Sequence, residues 1–193
     1  MMEALDEMCK VQGGEATNVL KQLFLSEAIK GLSQKGFVEE SNSLIQKMNE
    51  IIGENPEMDE LSSISEMDCY NAEMMNDLQL EKFDDALNVL KTMRSKCNYE
   101  NINAVRILML SHRNIIEMAF QMGKKDVIAK VMADAKMLSE KYLNDVDVQA
   151  KWMLCRLCDL EERFFDKGET ISLDEVSEIK IEVPLNSYEK NNE

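Results

Sequence analysis

Apolar residues recur along most of this chain with the spacing of an amphipathic helix. Over residues 15–32 they form one wide stripe with a period of about 3.6 residues. Its members are Val19, Leu20, Leu23, Phe24, Ala28, Ile29 and Leu32. Similar stripes cover residues 37–52, 64–78, 83–93, 102–120, 127–142 and 148–165. The pattern therefore predicts seven helices joined by short connections.

The glycine and proline residues between these stripes also favour helices. Gly53 and Pro56 close the second stripe, as expected after a helix end, and the polar run 54–63 is the loosest connection. The whole chain contains only 7 Gly and 2 Pro, whereas β-rich folds need frequent turns and place these residues in them. We therefore expect an all-α fold.

A short segment recurs just before the second helix of each predicted pair. Its copies begin at Gly36, Glu81, Gly123 and Gly168, which are 45, 42 and 45 residues apart. A pair of mostly apolar residues follows eight and nine positions after each start, and only the last copy weakens it. A repeat of this length indicates stacked helical hairpins, because one hairpin cannot bury both of its faces alone.

The copy that begins at Glu81 resembles a tetratricopeptide repeat. In Glu81-Lys-Phe-Asp-Asp-Ala-Leu, Phe83 matches the aromatic position of that family and Ala86 matches the small residue on which the first helix packs. The resemblance implies a right-handed α-α superhelix of stacked antiparallel hairpins over residues 15–168. Residues 1–14 would precede it, and the acidic tail 169–193 would be docked or partly disordered. The period exceeds the family's usual length of about 34 residues, so a HEAT-type array is the competing assignment.

Charge restricts the possible partners. The chain has 37 acidic and 22 basic residues and a net charge of −15. The basic residues concentrate in residues 81–145, where they slightly outnumber the acidic ones. Nucleic-acid binding is disfavoured, because neutralising phosphates requires a concentrated basic face.

The N-terminal residues, the apolar runs and the cysteines indicate the cellular compartment. The first residues are acidic, which does not suit a secretory signal, and no run of 18 apolar residues predicts a membrane-spanning helix. The 5 cysteines are an odd number without a disulfide framework spacing. We therefore expect a cytoplasmic or nuclear protein with reduced thiols and no membrane partner.

Two features of the sequence are candidates for a metal, redox or catalytic site. Cys155 and Cys158 form a Cys-x-x-Cys pair. A zinc site would need a second pair of Cys or His ligands, and a thioredoxin-like redox pair would need a strand before it and a helix dipole at the thiol. Core packing is therefore the favoured interpretation. His112 is the only histidine and has no nucleophile or orienting group in an evident pattern. We predict no catalytic residue, no metal, no cofactor and no enzymatic activity.

The resemblance also implies a peptide groove lined by the first helix of each hairpin. Asn71 and Arg113 lie ten residues before their repeat starts, whereas Arg106 and Lys151 lie seventeen before theirs. We predict that Arg106, Arg113 and Lys151 bind an acidic extended peptide and that Asn71 hydrogen-bonds its backbone. The alternative is that these bases pair with the chain's own acids, such as Glu117.

The predicted function is a protein–protein interaction module, a scaffold or adaptor, that binds a peptide segment or a partner subunit. The alternative is a self-associating structural subunit, or a fragment of a longer array, because the last repeat lacks a convincing polar capping helix. In the tail, residues 179–183 alternate like a strand and end at Pro184. Such a segment would suit donation to a partner or docking over the last hairpin.

Overall fold

The computed structural model describes residues 15–54, 60–142, 148–172 and 174–175. Over these ranges the chain is all-α and contains no strand. Within these ranges it forms seven α-helices, and a π-helical turn follows the last of them. They are α1 (Glu15–Gln34), α2 (Val38–Glu54), α3 (Glu60–Gln79), α4 (Phe83–Lys96), α5 (Ile102–Gln121), α6 (Lys125–Tyr142), α7 (Val148–Glu161) and the π-helical turn Glu162–Asp166.

The seven helices predicted from the apolar spacing are thus confirmed, and the differences lie at their ends. The third helix begins at Glu60, four residues before the first apolar position of its stripe. A first helical turn needs no apolar face, and an acidic residue there is favoured by the helix dipole. At α5 the start is set by Asn101, whose side-chain oxygen accepts from the backbone N–H groups of Asn103 (2.9 Å) and Ala104 (3.2 Å).

The four repeat starts share one backbone conformation. Gly36, Gly123 and Gly168 have φ values of 77°, 64° and 68°, and Glu81 has a φ of 59°. This left-handed conformation is the one that ends many helices and that glycine adopts most readily. Glu81 therefore holds a conformation that costs a residue with a Cβ about 1 kcal/mol.

The first three turns also share one hydrogen-bond pattern. In each, the N–H of the residue after the left-handed position donates to a carbonyl five residues earlier, which is the Schellman arrangement. These bonds join Phe37 to Leu32 (3.0 Å), Lys82 to Asp77 (2.8 Å) and Lys124 to Ala119 (2.9 Å). At the fourth turn the bond from Glu169 spans six residues to Arg163 (2.9 Å), because the π-helical turn adds a residue.

The fifth residue after each repeat start is an interior position in the first three copies. Ser41, Ala86 and Ile128 are all fully buried. At Ser41 the hydroxyl donates to the carbonyl oxygen of Ile29 on α1 (3.3 Å), so the second helix of the first hairpin touches the backbone of the first. The repeat in the sequence thus corresponds to a repeated packing position.

The chain divides into two compact units, at Met1–Cys97 and Asn98–Glu193. In unit 1, α1 packs on α2 and α3, and α3 also packs on α2 and α4. The core around α1 and α2 consists of Leu25, Ile29, Leu44, Ile45, Met48, Cys69 and Ala72. Helix α3 therefore has neighbours on three sides.

In unit 2, α5 packs on α6, and α6 packs on α7. Helix α5 is the most deeply buried described element of this unit, with Ile107, Leu108, Ile115 and Ile116 fully buried. The π-helical turn continues α7 and brings its phenylalanines to the end of α5. The rings of Phe120 and Phe164 meet edge to face with centroids 4.9 Å apart.

Candidate functional site

Arg106 and Arg113 lie two turns apart on α5, a separation of about 10 Å along one side of the helix. Both side chains are half-buried. The guanidinium of Arg113 is already engaged, because its Nη2 lies 3.0 Å from the Glu117 carboxylate and its Nη1 donates to Asn114 Oδ1 (2.9 Å). A peptide carboxylate at Arg113 would have to share it with Glu117 or displace Glu117.

The other two predicted site residues lie on different helices. Lys151 is in α7, but its side chain lies outside the described residues. Asn71 is half-buried on α3 of unit 1. The position equivalent to Asn71 in the first repeat is Ser26, which is buried and donates to Leu23 O (2.9 Å).

The surroundings of Asn71 are acidic. Burial raises the pKa of Asp68 to about 6, and Glu27 adds to this rise while Lys30 opposes it. Burial likewise raises the pKa of Glu73, with a contribution from Asp77. An acidic peptide beside Asn71 would meet like charges, which counts against Asn71 as a member of the predicted site.

Burial also affects the polar groups that face α4. The carboxylate of Glu66 is buried, accepts from the Tyr70 hydroxyl (3.2 Å) and lies 3.8 Å from Lys96 Nζ. The pKa of Tyr70 rises to about 12, mainly because of burial and then because of the charge of Glu66. The carboxylates of α3 are not among the predicted site residues. The sequence did carry a signal for them, because residues 61–80 contain acidic residues and no basic ones.

The four cysteines that the structure describes fall into two classes. Cys69 and Cys97 are buried, and burial raises the pKa of their thiols to about 12 and about 11. Cys155 and Cys158 are exposed, which corrects the interpretation that they pack in the core. They lie on the side of α7 that faces away from its buried residues Leu157 and Leu160. In the part of the chain that the structure describes, no three metal-ligating side chains come together.

His112 is buried inside the fold. Its Nδ1 lies 2.7 Å from the carbonyl oxygen of Leu108, one turn earlier in α5. A ring nitrogen at this distance donates to the carbonyl, which fixes the orientation of the imidazole. A histidine held in this way serves the packing of α5.

The most developed polar cluster lies where the chain turns back on α7. Arg163 Nε donates to Glu169 Oε2 (2.7 Å), and Arg163 Nη1 donates to Glu175 Oε1 (2.5 Å). Asp159 lies 3.7 Å from the same Nη1. Both glutamates raise the pKa of Arg163, mainly through these hydrogen bonds. One guanidinium thus holds two carboxylates of a single short segment.

The same segment is organised internally. Ser172 and Glu175 form a capping box, in which the Ser172 N–H donates to Glu175 Oε2 (2.9 Å) and the Glu175 N–H lies 3.4 Å from the Ser172 hydroxyl. The Ser172 N–H, Arg163 and the Ser172 hydroxyl lower the pKa of Glu175 to about 2. Ile171 is buried, and Arg156 Nη2 reaches the Glu175 carbonyl oxygen (3.4 Å). The alternating residues 179–183 lie outside the described residues.

Comparison with family models, with curated proteins and with solved structures finds no match for this chain. Within the described ranges, no helix is both long and apolar enough to cross a membrane. The functional hypotheses therefore rest on the residues of the chain and their geometry.

Proposed function

We propose that this chain is a helical-hairpin interaction module that binds an acidic extended segment along α5. Its hairpins would form a superhelix like that of tetratricopeptide repeats, and it would act without chemistry of its own. Support for the hairpin repeat comes from the left-handed residue found at all four starts and the buried fifth position found in three. The first three turns also share the same five-residue hydrogen bond.

The observation that carries the binding proposal is the position of Arg106 and Arg113. They lie on one side of the first helix of a hairpin, in the stretch of sequence where basic residues outnumber acidic ones. Both side chains keep partial exposure, and a ligand carboxylate at Arg113 would compete with Glu117. Lys151 of α7 remains a sequence-based member of this site.

The affinity of such a site would be modest and sensitive to salt. Each partly exposed arginine–carboxylate contact contributes on the order of 1 kcal/mol, and Glu117 competes for Arg113. We therefore expect micromolar binding that weakens as ionic strength rises.

The test is co-purification from the native cell with the full chain, read by mass spectrometry. A partner obtained in this way is then titrated with Arg106→Glu/Arg113→Glu, which should weaken binding about tenfold or more. Lys91→Glu/Lys130→Glu is the matched control, because both lysines are exposed on other helices and the net-charge change is the same. Equal loss in both variants, or intact affinity in the first, would exclude the α5 site.

Charge reversal of half-buried arginines could also disturb folding. The gentler pair Arg106→Gln/Arg113→Gln keeps most of each side chain and should still weaken binding, while helix content and the melting temperature stay unchanged by circular dichroism. A loss of binding that appears only together with a loss of helix would count against a direct contact.

A second candidate function, self-association, is favoured by an apolar patch on the first hairpin. Phe24 and Leu20 lie one turn apart on α1 and are 51% and 39% exposed, and Phe37 at the following turn is 50% exposed. An outer repeat usually carries a polar face. Light scattering of the wild-type chain and of Leu20→Ser/Phe24→Ser would separate the two functions, because only self-association predicts an oligomer that the substitutions dissociate.

A further inference from the structure

The segment after α7 shows which kind of ligand the end of this helix accepts. Residues 169–175 read Glu-Thr-Ile-Ser-Leu-Asp-Glu, so the aliphatic Ile171 lies between Glu169 and the acidic pair Asp174 and Glu175. Arg163 holds both glutamates, and Ile171 is the buried contact between them. The chain is therefore bound to itself through an acidic pattern with an aliphatic anchor.

We propose that the face formed by Arg156 of α7 and Arg163 of the π-helical turn that follows it is a docking site for an acidic segment of a partner protein. The described residues 169–172 and 174–175 occupy this face in cis. The partner segment would carry two carboxylates six residues apart, with an aliphatic residue near the first. This inference goes beyond the α5 proposal, because it uses a different helix and different arginines. Each proposal can fail without the other.

The cis segment is held by contacts that a partner can replace. The carboxylates of Glu169 and Glu175 keep 44% and 28% of their side-chain exposure, and Arg163 keeps 25%. Ion pairs this exposed are weak and screened by salt. The chain enters the segment at Gly168, whose left-handed backbone makes the reversal. Displacement therefore requires breaking surface ion pairs and lifting one aliphatic side chain, Ile171.

Tethering is what favours the cis segment over a free one. A short linker gives the tethered segment an effective concentration in the millimolar range. An isolated segment of the same sequence should therefore bind poorly to the wild-type chain. It should bind well once the cis carboxylates are neutralised.

The experiment measures fluorescence anisotropy of a labelled peptide with the sequence of residues 168–177. The full chain carrying Glu169→Gln/Glu175→Gln should bind it about tenfold or more tightly than wild type. Glutamine keeps the hydrogen-bonding role of residue 175 in the capping box, so the variant removes charge with little change of shape. Adding Arg163→Gln to this variant should lower the affinity about fivefold or more.

The matched control is Glu50→Gln/Glu140→Gln, which removes the same charge from two exposed residues of other helices. If this control binds the peptide as tightly as Glu169→Gln/Glu175→Gln, general repulsion explains the gain and cis occupancy is wrong. If Arg163→Gln leaves the affinity intact, the face formed by Arg156 and Arg163 is not the docking site. Circular dichroism of every variant should show unchanged helix content, because the substitutions touch no core residue.

Discussion

Helix α3 of unit 1 and the segment that follows α7 in unit 2 place the same chemical groups in opposite environments. The carboxyl of Asp68 has its pKa raised to about 6, chiefly by burial, whereas that of Glu175 is lowered to about 2 by hydrogen bonds from Ser172 and Arg163. Both lie in acidic stretches of sequence. Packing and the nearest hydrogen-bond donors, more than local charge density, therefore determine the pKa of each carboxyl.

The two environments predict opposite responses to pH. Asp68 binds its proton more tightly when folded, so its contribution makes unit 1 more stable below about pH 4 and less stable as pH rises through 6. Glu175 binds its proton less tightly when docked. Its contribution is present above about pH 4.5 and is lost as pH falls toward 2.

The largest effect is expected at the polar contact that joins α3 to α2. Asn76 is buried, and its Nδ2 donates to Ser41 Oγ (2.9 Å) and Asn42 Oδ1 (2.7 Å). Asn76→Ala should lower the free energy of unfolding by about 2 to 3 kcal/mol, because it leaves a cavity and two acceptors without their donor. Urea titration measures this. Asn88→Ala, at an exposed position of α4, is the control and should change it by less than about 0.5 kcal/mol. Equal losses would show that α3 gains nothing from its buried amide.

Neutralising Asp68 should remove the penalty of burying its charge. Asp68→Asn is expected to raise the free energy of unfolding by about 1 to 2 kcal/mol near pH 7.5 and to change it little near pH 4. Urea titrations at both pH values provide the measurement, with the exposed Glu50→Gln as control. A stabilisation that is the same at both pH values would contradict the assigned burial cost.

The shared turn allows a direct exchange between the units. Glu81→Gly should stabilise the chain by about 1 kcal/mol, because glycine adopts a positive φ without the cost of a Cβ. Gly123→Ala at the equivalent turn of unit 2 should destabilise it by a similar amount. Thermal melts of both variants test the pair, and shifts in the same direction would contradict the equivalence of the turns.

The smallest effect on global stability is expected for Glu169→Gln/Glu175→Gln. These side chains lie at the surface, so the midpoint of urea unfolding should not change measurably. The local effect should be clear in hydrogen exchange, where amides of residues 169–175 should exchange faster than in wild type. A lowered global midpoint with unchanged local exchange would place the segment in the core of unit 2, against the structure.

Which residues form the helices and their turns followed from short stretches of sequence. The spacing of apolar residues predicted all seven helices, and the repeat marked the four turn positions at which the structure has a left-handed residue, Glu81 among them. Both signals are local, because a helix period and a positive φ are properties of a few consecutive residues.

The candidate site residues could be predicted from the sequence less well than the helices. Arg113 was predicted to bind a partner or Glu117, and the structure shows the pair with Glu117. Cys155 and Cys158 were assigned to the core and are exposed, because both are apolar enough for either side of α7 and only its rotation against α6 decides between them. Arg163 was not among the predicted site residues, and its pairing with Glu169 and Glu175 appears only in the structure.

The all-α class, the helix boundaries to within a few residues and the positions where the chain reverses all followed from the sequence alone. Amphipathic periodicity and turn chemistry act over a few residues and leave a pattern that can be read along the chain. Only the tertiary structure decided that Asp68 is desolvated while Glu175 is paired with Arg163 twelve residues before it. Desolvation and ion pairing depend on the residues that the fold brings together in space, and the sequence around a carboxylate does not identify those neighbours.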